Sequence, residues 1–141
     1  MGIFDNVDRY GVLMKKILII EDDKRLRIMF KRLLEKRVHA EILEAENGVE
    51  GFKIYEQEKP RLIFCDIDMP VMNGIQFVNK VREKDTETYI IILSGFSEKQ
   101  IVQKVIELGV NDYILKTDLV MQLWDRVDKI FKKNMYTIFS N

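Results

Sequence analysis

Two kinds of apolar segment alternate along the chain, and their spacing separates predicted strands from predicted helices. Five short runs rich in β-branched and aromatic residues predict strands. They cover residues 17–20, 42–43, 62–65, 89–93 and 113–115. Three of these runs are almost wholly apolar, which is typical of parallel strands that are covered on both faces. The pattern therefore predicts a buried, mostly parallel sheet.

Between the strand runs, apolar residues recur at helical spacing. One stripe marks the first helix, and a shorter and a longer stripe mark the last two. The first stripe is Leu26, Met29, Phe30, Leu33 and Leu34, the second is Ile101, Val102, Val105 and Ile106, and the third is Val120, Leu123, Trp124, Val127, Ile130 and Phe131. Five strands that alternate with five helices predict right-handed βαβ units and an α/β fold with a doubly wound sheet.

Composition narrows the class of protein. The 141 residues fit one domain. Lys and Arg together number 23, as do Asp and Glu, so the basic excess of a nucleic-acid-binding protein is missing. The apolar runs are far shorter than the roughly 20 residues needed to cross a bilayer, and the first residues do not resemble a secretory signal. Because Cys65 is the only cysteine, the chain forms no internal disulfide, and we expect a cytoplasmic protein.

Polar side chains follow four of the five predicted strands. Ligands of doubly wound sheets bind at the carboxyl ends of the strands, so these side chains are expected to converge on one edge. They are Glu21, Asp22 and Asp23 after the first strand, Asp66 and Asp68 after the third, Ser94 after the fourth and Lys116 after the fifth. The second strand offers no obvious group. This edge is the candidate site.

The residue types at this edge indicate a particular chemistry. Several carboxylates within a few ångströms repel one another and need a cation or protons. Ligands that are all oxygen favour Mg²⁺ or Mn²⁺, and Mg²⁺ commonly takes a phosphate oxygen as well. Lys116 could neutralise a second phosphate oxygen, and the Ser94 hydroxyl could donate to a third. Asp66 is then the best-placed nucleophile for aspartyl-phosphate chemistry.

These residues lie in four of five motifs that together resemble the receiver domain of two-component response regulators. The motifs are KILIIEDD, which ends at Asp23, EAENGVEG (44–51), LIFCDIDMPVMNG (62–74), IIILSG (90–95) and NDYILK (111–116). The resemblance covers roughly residues 15–133. It implies a flavodoxin-like parallel sheet of order 2-1-3-4-5 with five helices, in a signalling phosphoacceptor rather than an enzyme with turnover.

The resemblance also implies a role for each site residue. Asp66 would accept a phosphoryl group from a partner's phosphohistidine. The metal would be held by Glu21, Asp22, Asp66 and the backbone carbonyl of Asp68. Ser94 and Lys116 would contact the phosphoryl group, and Tyr113 would be the aromatic that changes rotamer with Ser94. Thr117 departs from the family, which usually has proline after the lysine, so the loop into the fifth helix is expected to differ.

Other interpretations stay open on the sequence alone. Asp22 or Asp23 could simply cap a helix. The Asp66-Ile67-Asp68 segment also resembles a haloacid-dehalogenase-type phosphatase, in which Asp66 would be the nucleophile and Asp68 the acid/base. A flavodoxin-like cofactor binder is a third possibility, although the acidic run would repel an unmetallated phosphate. We expect Cys65 to be a buried, inert thiol and His39 to be exposed and without a catalytic role.

The predicted first helix, residues 24–37, carries seven basic residues against Glu35. Because its apolar stripe should face the sheet, we expect the charge to face solvent. In the receiver family this helix is where the histidine kinase or histidine phosphotransfer protein docks, which suggests contacts through Arg25, Arg27 and Lys31. A downstream protein target would use the face of helix four, strand five and helix five. Direct DNA binding is not expected.

Three parts of the chain are distinguished. Residues 1–14 are expected to be an N-terminal extension, residues 15–133 the receiver domain, and residues 134–141 an apolar C-terminal tail. The tail carries Met135, Tyr136, Ile138 and Phe139, which should bury a surface on the domain or on a partner. Because little sequence follows Phe131, we expect a receiver of the stand-alone, single-domain type.

Overall fold

The computed structural model describes residues 15–95 and 99–140, and for Lys99 and residues 131–140 it describes the backbone only. The strands are β1 (Lys16–Ile20), β2 (Glu41–Ala45), β3 (Leu62–Asp66), β4 (Tyr89–Ser94) and β5 (Asp112–Leu115). The helices are α1 (Lys24–Glu35), α2 (Gly48–Glu58), α3 (Gly74–Arg82), α4 (Lys99–Glu107) and α5 (Leu119–Ser140). A short 3-10 turn, Lys116–Asp118, leads into α5.

The five strands form one sheet in the order β2-β1-β3-β4-β5, and every neighbouring pair is parallel. This confirms the predicted α/β fold with its doubly wound sheet. Most strand boundaries lie within one residue of the prediction. The exception is β2, which has five residues where the apolar pattern indicated two. As an edge strand it is only partly buried and carries glutamates, so its sequence lacks a continuous apolar run.

Successive residues of the strands point to opposite faces, and each face has its own core. Ile17 and Ile19 pack with Phe30 and Leu34 of α1 and with buried residues of α5. Leu18 and the other alternate strand residues pack against α2, α3 and α4. Both faces of the sheet are therefore covered, which leaves the ends of the strands as the places where polar groups can gather.

Several residues of the predicted apolar stripes are exposed instead. The exposed fraction is 41% for Met29, 58% for Ile106 and 62% for Val120. On α1 the buried side is centred on Phe30, and Met29 lies roughly 100° around the helix from it. On α5 the buried side begins at Leu119. Leu123, Val127, Val105 and Phe30 are buried as predicted.

The ends of the chain were predicted to be separate segments. Residues 1–14 lie outside the described residues. The backbone of α5 continues to Ser140, so the predicted boundary at residue 133 falls within a single helix. The expected burial of the tail concerns side chains that also lie outside the described part, and it stays a prediction. Among the described residues, no helix is both long and apolar enough to cross a membrane.

Candidate functional site

The predicted polar residues do converge at the carboxyl ends of the strands. Asp66 ends β3, the central strand, and Ser94 ends β4; both side chains are buried. In the parallel register Ile20 pairs with Cys65, so Glu21 follows β1 directly beside Asp66. Glu21 is also buried, whereas Asp22 is exposed. The prediction that these groups share one edge of the sheet is confirmed by their positions.

The loop from β3 to α3 folds back on Asp66, and glycine permits this close approach. The Gly74 N–H donates to the carbonyl of Ile67 at 2.9 Å. A β-carbon at Gly74 would lie only 2.3 Å from the Asp66 carbonyl oxygen, so a larger residue would displace the loop. A reciprocal capping box between Asn73 and Gln76 then starts α3. The glycine and the capping residues that follow β3 in the sequence therefore explain the path of this loop.

Glu21, Asp22 and Asp66 each offer one carboxylate oxygen, and these oxygens lie within 4.8 Å of one another. Two buried oxygens, Glu21 Oε2 and Asp66 Oδ2, have no hydrogen bond of good geometry, although Asp66 Oδ2 has the Lys116 ammonium 3.1 Å away. Asp23 caps α1, since its carboxylate accepts hydrogen bonds from the N–H groups of Arg25 and Leu26 at 2.9 and 3.3 Å. The helix cap thus uses Asp23 and leaves Asp22 available to the cluster.

The cluster fits a hard divalent cation. Its donors are carboxylate oxygens, which Mg²⁺ and Mn²⁺ prefer. Buried charged oxygens without hydrogen bonds are costly, and a cation would satisfy them. The backbone N–H of Asp68 donates to Asp66 Oδ1 at 3.2 Å, which orients that carboxylate. The Asp68 side chain is exposed, and the role of its backbone carbonyl as a metal ligand stays a prediction.

Lys116 contacts both buried carboxylates, Glu21 and Asp66. Its Nζ donates a hydrogen bond to Glu21 Oε1 at 2.8 Å and stands 3.1 Å from Asp66 Oδ2. The lysine follows β5 directly and begins the 3-10 turn that contains Thr117. Asp66 is thus a buried carboxylate that has two acids and a lysine as close neighbours, the groups that the sequence predicted beside it.

The electrostatics of this group reflect crowding and burial. Burial raises the pKa of Glu21 to about 8; the adjacent Asp66 acts in the same direction, and Lys116 acts against both. Burial also raises the pKa of Asp66, although Glu21 and Lys116 oppose the rise. Burial alone would lower the pKa of Lys116, but its two carboxylate partners outweigh this effect and raise it. Burial and crowding thus favour the protonated forms of Glu21 and Asp66. A bound cation would offset the repulsion between the ionised carboxylates.

The remaining residues singled out in the sequence have varied surroundings. Tyr113 is half-buried on β5 and packs against the core on the α2, α3 and α4 side. Its role with Ser94 as a rotamer switch stays a prediction. Cys65 is fully buried, and burial raises the pKa of its thiol well above the usual value, as expected of an inert thiol. His39 is exposed, as predicted.

Arg27 is not on the solvent face of α1, which corrects its assignment to the docking surface. Its side chain is 9% exposed, and Nη1 donates to the Glu21 carbonyl at 2.7 Å. Nε donates to Glu44 Oε1 of β2 at 3.1 Å. One feature of the sequence could have predicted this burial: Arg27, Phe30 and Leu34 follow the i, i+3, i+7 spacing of one helix face. Glu44 was not identified from the sequence at all.

The other basic residues of the proposed docking helix are accessible. Arg25 is exposed, and Lys31 is partly exposed with Nζ 3.5 Å from Glu44 Oε2. Two apolar side chains of the same helix, Ile28 and Met29, are also exposed, at 38% and 41%. The surface that α1 presents is therefore basic with apolar residues in it.

Comparison with known proteins agrees with the geometry. The family model of the response regulator receiver domain matches residues 17–128. The chemotaxis protein CheY of Listeria monocytogenes is 30% identical over 119 residues, which cover 84% of this chain and 100% of the relative. CheY of Bacillus subtilis is 31% identical over 114 residues, which cover 81% of this chain and 95% of the relative.

Solved structures show the same similarity. A LuxR-family DNA-binding response regulator from Staphylococcus aureus superposes with a TM-score of 0.77 at 26% identity, covering 83% of this chain and 98% of that chain. A CheY-like receiver domain protein from Methanospirillum hungatei shares the fold, with a TM-score of 0.78 at 24% identity over 85% of this chain and 95% of that chain. On these grounds the chain belongs to the response regulator receiver domain family of two-component signalling.

Proposed function

We propose that the protein is a Mg²⁺-dependent phosphoacceptor, in which Asp66 takes a phosphoryl group from a phosphohistidine on a partner and thereby switches a protein-binding surface. The observation that carries this proposal is the environment of Asp66. It is a buried carboxylate that has Glu21 and Asp22 close by and Lys116 Nζ at 3.1 Å. Negative charge is concentrated where a cation can bind, and a positive charge is fixed beside the nucleophile.

The reaction follows from the groups present. A carboxylate oxygen of Asp66 would form a bond to phosphorus as the phosphorus–nitrogen bond of the phosphohistidine breaks, and the imidazole would leave with its electron pair and take up a proton. Lys116 would pair with one phosphoryl oxygen, and the Ser94 hydroxyl would donate to another. When bound, Mg²⁺ would supply neutralisation of the phosphoryl charge. Glu21, Asp22, Asp66 and the carbonyl of Asp68 would hold it.

The partner surfaces extend the proposal. Arg25 and Lys31 give α1 an exposed basic side close to the site, which suits a phosphodonor with an acidic face. The exposed Ile28 and Met29 would add apolar contact within that interface. Arg27 is excluded from this surface by its burial. A downstream target would bind the face formed by α4, β5 and α5.

The test is phosphorylation of the purified protein by a small acyl phosphate in the presence of Mg²⁺, followed by intact mass. We expect a gain of one phosphoryl group that maps to Asp66, is lost in Asp66→Asn, and needs the metal. Asp68→Asn is the matched control, since Asp68 is exposed and only its backbone is assigned a role. Asp68→Asn should retain the mass gain. If the protein were instead a phosphatase with Asp68 as its acid/base, wild type would hydrolyse the phosphodonor with turnover and Asp68→Asn would lose that turnover. A stable label on Asp66→Asn would overturn the assignment.

A further inference from the structure

Arg27 is a buried arginine that links three parts of the chain at the edge of the site. Nη1 donates to the backbone carbonyl of Glu21 at 2.7 Å, and Nε donates to Glu44 Oε1 at 3.1 Å. Nη2 stands 3.9 Å from Glu46 Oε1, just beyond the end of β2. One guanidinium therefore joins α1, the end of β2 and the loop that follows β1.

The carbonyl that Arg27 contacts has a special position. It belongs to the peptide plane shared by Glu21 and Asp22, so a hydrogen bond to this carbonyl restrains rotation of that plane about the flanking ψ of Glu21 and φ of Asp22, the two dihedral angles that orient the plane relative to both side chains. The same short segment is held on either side: the Glu21 N–H donates to the Ala45 carbonyl at 3.0 Å, and Asp23 caps α1. The hydrogen bond from Arg27 to the Glu21 carbonyl lies between these two points of attachment along the chain.

Arginine suits this task because its guanidinium is a rigid plane with donors in several directions. It can hold the Glu21 carbonyl with one nitrogen while Glu44 holds another nitrogen in place. A lysine would keep the positive charge, but its single ammonium could not satisfy both acceptors in the same geometry. The interaction is buried, so water would replace it poorly.

We propose that Arg27 is a positioning residue for the acidic site: it holds the Glu21–Asp22 peptide so that both carboxylates face the same cation. The inference rests on the proposed function, because it concerns the metal that phosphorylation would need. It assigns to Arg27 a task that differs from partner docking and from contact with the phosphoryl group.

Charge and positioning predict opposite results, which makes the inference testable. A guanidinium near the site repels a divalent cation, so its charge alone lowers affinity for Mg²⁺. Removing that charge in Arg27→Gln should therefore tighten Mg²⁺ binding if Arg27 acts only through charge. Loss of positioning should weaken binding instead, since groups that orient metal ligands typically contribute roughly tenfold or more to affinity. The sign of the change distinguishes the two.

The experiment compares Arg27→Lys and Arg27→Gln with wild type by calorimetric titration with Mg²⁺ alone. We expect Kd to rise about tenfold in Arg27→Lys, which preserves the charge, and to rise also in Arg27→Gln. A second readout needs no metal: the backbone amide of Asp22 in the ¹⁵N-labelled, metal-free protein should shift and broaden in Arg27→Lys. This readout applies even if Arg27→Gln does not fold.

Arg82 provides a matched control at the opposite edge of the sheet. It donates to the carbonyls of Gly109 and Asp85 at 3.0 and 2.9 Å and to Asn111 Oδ1 at 3.3 Å, so like Arg27 it joins several segments of the chain through its guanidinium. Arg82→Lys should lower stability yet leave Mg²⁺ affinity within about twofold of wild type and the Asp22 amide unchanged.

Three results would overturn the inference. They are tighter Mg²⁺ binding in Arg27→Gln, a Kd for Mg²⁺ in Arg27→Lys equal to that of wild type, and an unchanged Asp22 amide in metal-free Arg27→Lys. Failure of the proposed function looks different, because wild type itself would then bind no Mg²⁺ or gain no phosphoryl group. In that case the amide measurement still decides whether Arg27 orders the Glu21–Asp22 peptide.

Discussion

Lys116 and Glu21 form a hydrogen-bonded ion pair of 2.8 Å across the end of the sheet, although they are 95 residues apart in the chain. The carboxylate of Glu21 is almost fully buried, whereas the Lys116 side chain is 24% exposed. Lys116 Nζ also lies 3.1 Å from Asp66 Oδ2. One lysine, itself partly exposed, therefore balances two crowded carboxylates.

Replacing Lys116 with Met should lower the free energy of unfolding of the metal-free protein by about 1–3 kcal/mol, because two buried carboxyl groups lose their cation. Addition of Mg²⁺ should recover part of the loss, since a ligand that binds only the folded state stabilises it. Urea denaturation with and without Mg²⁺ measures both effects. Lys104→Met, at an exposed position on α4, should change little. Equal stability of the two variants would argue against the balancing role.

Replacing both Glu21 and Asp22 with their amides should weaken Mg²⁺ binding and slow phosphorylation by an acyl phosphate. The fold should be kept or even stabilised, because removing crowded like charges relieves repulsion. Calorimetric titration and thermal unfolding test the two statements. Asp23→Asn is the control, since asparagine also caps helices well and should leave the metal affinity largely intact. Unchanged affinity in the double variant would show that these acids do not bind the metal.

Asp85 is the acceptor of a dense hydrogen-bond network away from the site. It accepts from the Tyr55 hydroxyl at 2.6 Å, from the Thr88 hydroxyl at 2.5 Å and from the N–H groups of Glu87 and Thr88. Partial burial alone would raise its pKa, but the hydrogen bonds outweigh burial and hold the pKa of Asp85 well below the usual 3.8. Its stabilising contribution is therefore present above pH 3.8 and is lost as the pH falls through the lower, folded-state value.

We expect Asp85→Asn to lower the free energy of unfolding by about 1 kcal/mol near neutral pH, a modest value because the carboxylate is partly exposed. The difference from wild type should shrink as the pH falls from 3.8 toward the lower folded-state pKa of Asp85, because in this interval the unfolded wild-type chain binds a proton that the folded protein does not. Urea denaturation at several pH values measures it. A difference that stays constant with pH would contradict the role assigned to the charge.

Val71, in the loop between β3 and α3, adopts a left-handed backbone with φ of 70° and is 81% exposed. A β-branched residue is strained in this region, whereas asparagine tolerates it. Val71→Asn should therefore raise the free energy of unfolding by about 1 kcal/mol. Thermal and urea denaturation measure the gain. Val49→Asn, at an exposed position in α2, should give none, and a gain of the same size there would remove the explanation by backbone strain.

The sequence by itself determined the fold and the location of the site. The alternation of apolar runs with helical stripes specified five βαβ-connected strands. Because the carboxyl ends of parallel strands meet at one edge, Glu21, Asp66, Ser94 and Lys116 could be placed together without coordinates. Both inferences depend on local periodicity and on the direction of the strands, which the order of residues encodes directly. The edge strand β2 was underestimated because partial exposure removes the apolar signal.

Only the tertiary structure decided how neighbouring residues divide their tasks. Asp22 and Asp23 are chemically alike in the sequence, and the extended backbone at Asp23 made it the helix cap. Arg27 was predicted to face solvent because of its charge, but it is buried between the Glu21 carbonyl and Glu44 of β2, 17 residues away. A charge is buried only where partners from other elements satisfy it, and those partners come together only when the sheet and helices are packed.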